Sequence, residues 1–204
     1  MLGITGIIFT ALTALRQIDI KRIIAYSSIS HMNLIVLGLF SKTTNGIDGA
    51  IYLMLGHGIV STALFFCIGI LYDRYHTRII YYYGGLLQIM PNFSFFFFFF
   101  SFANMGFPGT INFIGEFLIL ISIIHNNIIC GFLSATSTIF SAAYSVYILN
   151  RINFGTIKIY LSFKDVLDIT PIEFGILGVL SIITLWFGLY SAPIFNVFKI
   201  TLIL

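Results

Sequence analysis

An all-α membrane bundle of about six crossing helices, one of them broken at Pro108, is the fold class this sequence predicts, and three observations predict it. Charged side chains make up 8% of the 204 residues and hydrophobic ones 59%, whereas a soluble domain carries roughly 25% charged residues. Mean hydropathy is +1.04. The apolar residues fall in runs near the length of about 20 that a helix needs to cross a bilayer core, with short polar clusters between them. Such a chain cannot cover a water-facing surface, which excludes a soluble enzyme, a nucleic-acid binder and a disordered tail. No long hydrophilic stretch interrupts it, so residues 1–204 read as a single membrane domain.

Taken in order, the apolar runs are 1–15, 22–41, 48–72, 91–124, 128–150 and 171–195. The first is short for a full crossing and the fourth is too long for one straight helix. The loops after the first, third and fifth runs hold Arg16, Lys21, Arg22, Arg74, Arg78, Arg151, Lys158 and Lys164, and the opposite side holds only Lys42 and Lys199. Excess Lys and Arg mark the side that is not translocated. The basic loops therefore face the matrix or cytoplasm, and both termini face the other side. Asp19 among Arg16, Lys21 and Arg22, and Asp73 beside Arg74, are expected to form loop ion pairs. Asp48 reads as the acid at a helix N-terminus, and the loop 151–170, with Asp165 and Asp168, as a solvated connector.

Phe occurs 23 times and Tyr 11 times, with six consecutive Phe at 95–100. That bias fits an AT-rich organelle gene, with the Phe run as lipid-facing filler. No Arg/Ser-rich presequence or cleavable signal precedes the first run, which fits insertion from inside the organelle or cell. Cys67 and Cys130 are the only cysteines and no CxxC occurs, so Fe–S or zinc ligation by this chain is not expected and both read as packing thiols.

The fourth run contains Phe107-Pro108-Gly109-Thr110. Proline removes a backbone donor and clashes with the preceding turn, and Gly109 adds freedom. Helices broken at membrane depth mark ion or substrate sites in transporters, although a plain proline kink has the same sequence. Glu116, about two turns later, is a carboxylate in an apolar run, which costs several kcal/mol and is kept where it faces a wet interior. The alternative is a structural carboxylate paired with another helix. His31 and His57 lie inside the second and third runs, and histidine passes protons between its two nitrogens near neutral pH. A core histidine bonded to a backbone carbonyl is the bland reading of each. Counting 1.5 Å per residue from the basic loops puts His31 roughly 14 Å deep and His57 roughly 22 Å deep. The offset of about 8 Å argues against a haem ligated by both. His76 and His125 read as interfacial. The stripe Tyr26, Ser27, Ser28, Ser30 bonds either water or its own helix. Asn104 and Asn112 flank the break, as partners for the freed backbone or as holders of water.

These residues together resemble a known family. The stretch Leu15-Arg16-Gln17-Ile18-Asp19-Ile20-Lys21-Arg22-Ile23-Ile24-Ala25-Tyr26-Ser27-Ser28-Ile29-Ser30-His31-Met32 looks like its signature, as do Leu55-Gly56-His57-Gly58, Leu71-Tyr72-Asp73-Arg74 and Tyr83-Gly84-Gly85-Leu86. Pro108-Gly109-Thr110 and Gly115-Glu116-Phe117 add to the match. The family is NADH-ubiquinone oxidoreductase chain 4, an antiporter-like membrane subunit of respiratory complex I. Glu116 in its context is similar to chain 4, where the related chains 2 and 5 carry lysine.

The resemblance implies that the chain corresponds to spans nine to fourteen of a fourteen-span family, beginning within the ninth, and that it is a split gene product opening at Met1. It implies that His31 and His57 are central polar-axis histidines and that Glu116 is the protonatable residue of a broken twelfth helix at Pro108 and Gly109. The expected function is to help move protons outward across the mitochondrial inner membrane, within a NADH:ubiquinone reductase whose redox chemistry lies elsewhere. This chain is expected to bind no cofactor, while the assembled complex would use FMN, Fe–S clusters and ubiquinone. Expected partners are a separate N-terminal half of chain 4, the neighbouring chains 2 and 5, other subunits and membrane lipids, with no nucleic acid. Two rival readings remain at this stage: a subunit of a multisubunit cation/proton antiporter, and a structural half that no longer pumps.

Overall fold

The computed structural model of the protein describes residues 2–157 and 167–196. Lys158, Lys164, Asp165 and Lys199, counted above among the loop charges, lie outside the described residues. Each predicted apolar run contains a helix. The order is α1 (Leu2–Arg16), α2 (Ile20–Phe40), α3 (Thr44–Tyr75), a 3-10 turn at Ile80–Tyr82, α4 (Leu86–Ile89), α5 (Pro91–Asn104), α6 (Ile111–Asn126), α7 (Ile128–Asn153) and α8 (Pro171–Leu189). Among the described residues α2, α3, α7 and α8 are each long and apolar enough to cross a membrane, and α1 and α6 are shorter apolar helices. The structure is thus a helical membrane bundle in which α5 and α6 share one apolar run with a break between them.

Lipid tails are as apolar as leucine, so membrane helices associate mainly through close packing, which small residues permit. The α3–α6 contact shows this. An added Cβ on Gly115 would sit 2.7 Å from Leu53 Cβ, one on Gly49 would sit 2.8 Å from Leu118 Cβ, and one on Gly56 would sit 2.7 Å from Asn112 Oδ1. The two backbones therefore approach as closely as they can, and this sets the heights of His57 and Glu116.

Two apolar clusters fill the bundle. One, towards the basic loops, joins Ile20, Ile23, Ile24, Val60, Leu64, Phe93, Phe97, Phe100, Tyr144 and Ile148. The other, towards the opposite end, joins Ile7, Leu34, Ile35, Ala50, Leu53, Ile119 and Ile123. The Phe run is therefore not simply lipid-facing. Phe96, Phe97 and Phe100 are buried while Phe95 and Phe98 are exposed, because a helical repeat of 3.6 residues brings Phe93, Phe97 and Phe100 onto one inward face.

The basic loops meet at one end of the bundle. The Ile20 N–H donates to the Arg78 carbonyl and the Ile80 N–H to the Ile18 carbonyl, both at 3.0 Å, and the Gly85 N–H donates to the Phe154 carbonyl at 3.2 Å. Asp19 pairs with Arg22 at 3.1 Å, as expected. Asp73 does not pair with Arg74, since adjacent residues on a helix do not face each other. Arg74 reaches instead to Glu173 on α8 at 2.8 Å and donates to the Leu167 and Asp168 carbonyls at 3.0 and 3.1 Å. The Asp168 carboxylate accepts from the Asn92 and Phe93 N–H groups at 2.9 and 3.1 Å, capping α5, so this part of the loop is a clasp and not a solvated connector. At the other end α3 begins four residues before Asp48. Its cap is Thr43, whose hydroxyl accepts from the Gly46 N–H at 3.1 Å, and Asp48 Oδ1 is buried without a hydrogen-bond partner.

Candidate functional site

The break between α5 and α6 covers residues 105–110. Pro108 and Gly109 lie inside it, but the helix has already ended at Gly106. The Gly106 N–H bonds to the Ala103 carbonyl and the Phe107 N–H to the Phe102 carbonyl, both at 3.2 Å, and Gly106 has φ +72°. This paired pattern, with glycine in the left-handed region, is the Schellman cap. Its usual apolar contact is present as the Phe102 and Phe107 rings, 5.5 Å apart. Pro108 then prevents resumption of the helix, and Gly109, at φ +93°, turns the chain into α6. Gly106 was not among the residues singled out from the sequence, because a glycine acquires this role only from its backbone angle.

The structure brings His31, His57 and Glu116 together. His31 Nδ1 lies 3.3 Å from Glu116 Oε1, and the His31 and His57 rings are 5.0 Å apart between centroids. The three side chains come from α2, α3 and α6 and are at least 96% buried. They form a polar layer between the two apolar clusters. Their common height corrects the depth offset of about 8 Å counted from the loops. With its 32 residues, α3 is about 48 Å long and exceeds a core of about 30 Å. Counting from its loop therefore overstates the depth of His57. With the two rings in contact, no slot for a porphyrin lies between them. Among the described residues no three His, Cys, Asp or Glu side chains converge as metal ligands.

The layer is polar beyond what the protein itself satisfies. His31 Nε2, His57 Nδ1, Asn104 Oδ1, Ser137 Oγ, the Tyr144 hydroxyl and both amide atoms of Asn112 are buried without a protein hydrogen-bond partner, and Glu116 Oε1 meets His31 without hydrogen-bond alignment. Buried polar groups are normally bonded to protein or ordered water. A small cavity at the pair is lined by Ser30, His31, Glu116, Ser137, Thr138 and Ser141 and gives about 10 Å³ to the centre of a water molecule, room for about one water. Ser27, Ser28 and Ser30 bond their own helix, with Ser27 and Ser28 donating to the Ile24 carbonyl and Ser30 to the Ser27 carbonyl. Asn112 bonds none of the freed backbone. His76 and His125 are exposed, far from the layer. Cys67 and Cys130 are free thiols, and Cys67 is wholly buried. The arrangement can hold a proton on His31 or Glu116 and hand it between them.

The family model described as NADH:quinone oxidoreductase/Mrp antiporter, transmembrane, matches residues 1–141. The chain is 52% identical over 195 residues to NADH-ubiquinone oxidoreductase chain 4 of Chondrus crispus, covering 96% of this chain and 39% of that protein. To the protein of the same name from Acanthamoeba castellanii it is 44% identical over 200 residues, covering 97% of this chain and 40% of that one. It therefore spans about two-fifths of the length of these relatives. A chain of respiratory complex I from Thermus thermophilus with bound NADH superposes with TM-score 0.84 at 31% identity, over 93% of this chain and 40% of that one. A chain of the Mrp complex from Dietzia sp. DQ12-45-1b superposes with TM-score 0.81 at 20% identity, over 95% of this chain and 45% of that one, a likeness of fold alone.

Proposed function

This chain belongs to the NADH:quinone oxidoreductase/Mrp antiporter transmembrane family, and from that premise we propose that it works as a proton-translocating part of the membrane arm of a respiratory NADH:ubiquinone oxidoreductase. It does so as one membrane domain. The observation that carries the reading is the buried contact of His31 with Glu116 at 3.3 Å, with the His57 ring tilted against the His31 ring at 5.0 Å between centroids. Ionisable groups are costly in a membrane interior and are characteristic of ion and proton pathways. In this reading His57 and His31 relay protons along the polar layer, Glu116 is the terminal acid of the outward half-channel, and the break at Pro108 and Gly109 lets water reach it.

The setting is part of the same reading. The chain sits in the mitochondrial inner membrane with its basic loops on the matrix side. Its neighbours are the polypeptide corresponding to the rest of the relatives' length, the related chains 2 and 5, and other subunits of the complex. FMN, Fe–S clusters and ubiquinone are held by other subunits, and this chain contributes proton movement and no electron transfer. Identity of 52% to a complex I relative against 20% to the Mrp neighbour favours this assembly over a cation/proton antiporter. Co-purification with flavin and Fe–S subunits separates the two.

The test is Glu116→Gln in the assembled complex reconstituted in sealed vesicles. NADH oxidation by an artificial acceptor should stay at the unaltered rate, while quinone-linked proton uptake falls at least about tenfold, a positioned proton-transfer group contributing about a hundredfold or more. An assembled variant with full proton uptake per NADH would remove the role of Glu116.

A further inference from the structure

Tyr144 is a buried phenol that the proposed relay does not use. It stands on α7 at 1% exposure, and its hydroxyl has no protein hydrogen-bond partner. Around it lie the side chains of Ser30 and Ser27 from α2 and Asn104 from α5, with the Glu116 carboxylate near enough to act on it electrostatically. Ser27 and Ser30 give their own protons to the α2 backbone, so both face the phenol as acceptors, and Asn104 Oδ1 is a further acceptor without a partner.

Two cavities are stacked at this point along the helix axes. The first is the one at the His31–Glu116 pair, one turn towards the end opposite the basic loops, where Ser30 on α2 and Ser141 on α7 line it. The second is on the basic-loop side and is lined by Ser27, Ser101, Asn104, Tyr144 and Ser145 among apolar neighbours. Each gives about 10 Å³ to the centre of a water molecule, which suits about one water with two or more polar partners. Tyr144 lines only the second and Ser30 only the first, and the Ser30 side chain lies beside the phenol hydroxyl between them.

We propose that Tyr144 is a further relay residue, its hydroxyl joining a one-water site at the His31–Glu116 pair to a second one-water site on the side of the basic loops. The inference rests on the proton-translocating reading of this chain. A hydroxyl is both donor and acceptor. A proton arriving from water in the second cavity forms a new O–H bond at the phenol oxygen as the original O–H bond breaks towards the Ser30 hydroxyl, which takes that proton and releases its own to water at the pair. The phenol ends neutral, and one proton has crossed without net ionisation. The connection extends the polar layer from the pair towards the basic loops as far as the second cavity.

Tyr144→Phe removes only the oxygen, and it is tested beside Glu116→Gln in the assembled complex in sealed vesicles. The expected result is unchanged NADH oxidation by an artificial acceptor and at least a threefold loss of quinone-linked proton uptake in both variants. Full uptake in Tyr144→Phe with loss in Glu116→Gln overturns the role of Tyr144 and leaves the reading of the chain intact. Full uptake in both overturns that reading itself. Where Tyr144→Phe fails to assemble, a high-resolution map of the unaltered complex decides. Water density in both cavities, bonded across the phenol, supports the relay, and two dry cavities overturn it.

Discussion

The Glu116 carboxylate rests against Gly106, where an added Cβ would come within 2.6 Å of Oε2. Two effects then act on Gly106→Ala. The φ of +72° costs an alanine about 1–2 kcal/mol, and the new methyl pushes the carboxylate off His31. The expected outcome is an assembled complex with a thermal midpoint a few degrees lower and a loss of proton uptake comparable to Glu116→Gln, although no charge has changed. Loss of stability with full proton uptake would show that the carboxylate does not need this support. His31, His57 and Glu116 were legible in the sequence because ionisable groups inside apolar runs are expensive and so carry information one by one. Gly106 and Tyr144 were not. One of 18 glycines and one of 11 tyrosines stand out only when a backbone angle or a pair of cavities is known.

At the scale of the elements, the clasp around Arg74 ties α3, α5 and α8 together at the basic-loop end. Arg74 sends Nη2 to Glu173 Oε2 at 2.8 Å and Nη1 to Oε1 at 3.4 Å, with side-chain exposures of 15% and 22%. A pair this covered lies between the surface case, worth about 0–1 kcal/mol, and the buried one, where removing a partner costs about 3–5 kcal/mol. Arg74→Leu is therefore expected to destabilise by about 2 kcal/mol, Asp168→Asn by less because one of its oxygens still accepts, and Asp73→Asn not at all. Thermal unfolding of the assembled complex for the three variants checks the order, and an effect of Asp73→Asn equal to that of Arg74→Leu would contradict it. The sequence showed the helices but not this clasp. Apolar runs report where a helix can lie, because that is a property of twenty neighbouring residues. The partner of Arg74 is 99 positions away, and local pattern favoured the adjacent Asp73. The same limit explains the Phe run, whose inward face is chosen by α3 and α7 and not by its own composition.

For the whole molecule, the polar layer lies between two apolar clusters, and the loops on either side of it differ in charge. Arg22 and Arg78 project from the end where the first and third connections pair, and His125 from the last turn of α6 at the other end. The helix order fixes that these ends are opposite, while the proposed direction, basic end to the matrix, rests on the excess of Lys and Arg alone. A single experiment separates the two claims. With Cys130 replaced by serine and Cys67 left buried, Arg22→Cys and His125→Cys are each treated with a membrane-impermeant maleimide in sealed inner-membrane vesicles of both orientations. Arg22→Cys should react only where the matrix face is outward, and His125→Cys only where it is inward. If both react from the same face, the broken run does not cross as α5 and α6 imply, and Glu116 cannot lie at mid-depth. If they react from opposite faces but in the reverse sense, the bundle and its relay stand and the direction is inverted, so the cavity on the basic-loop side of Tyr144 would lie on the intermembrane side of the pair.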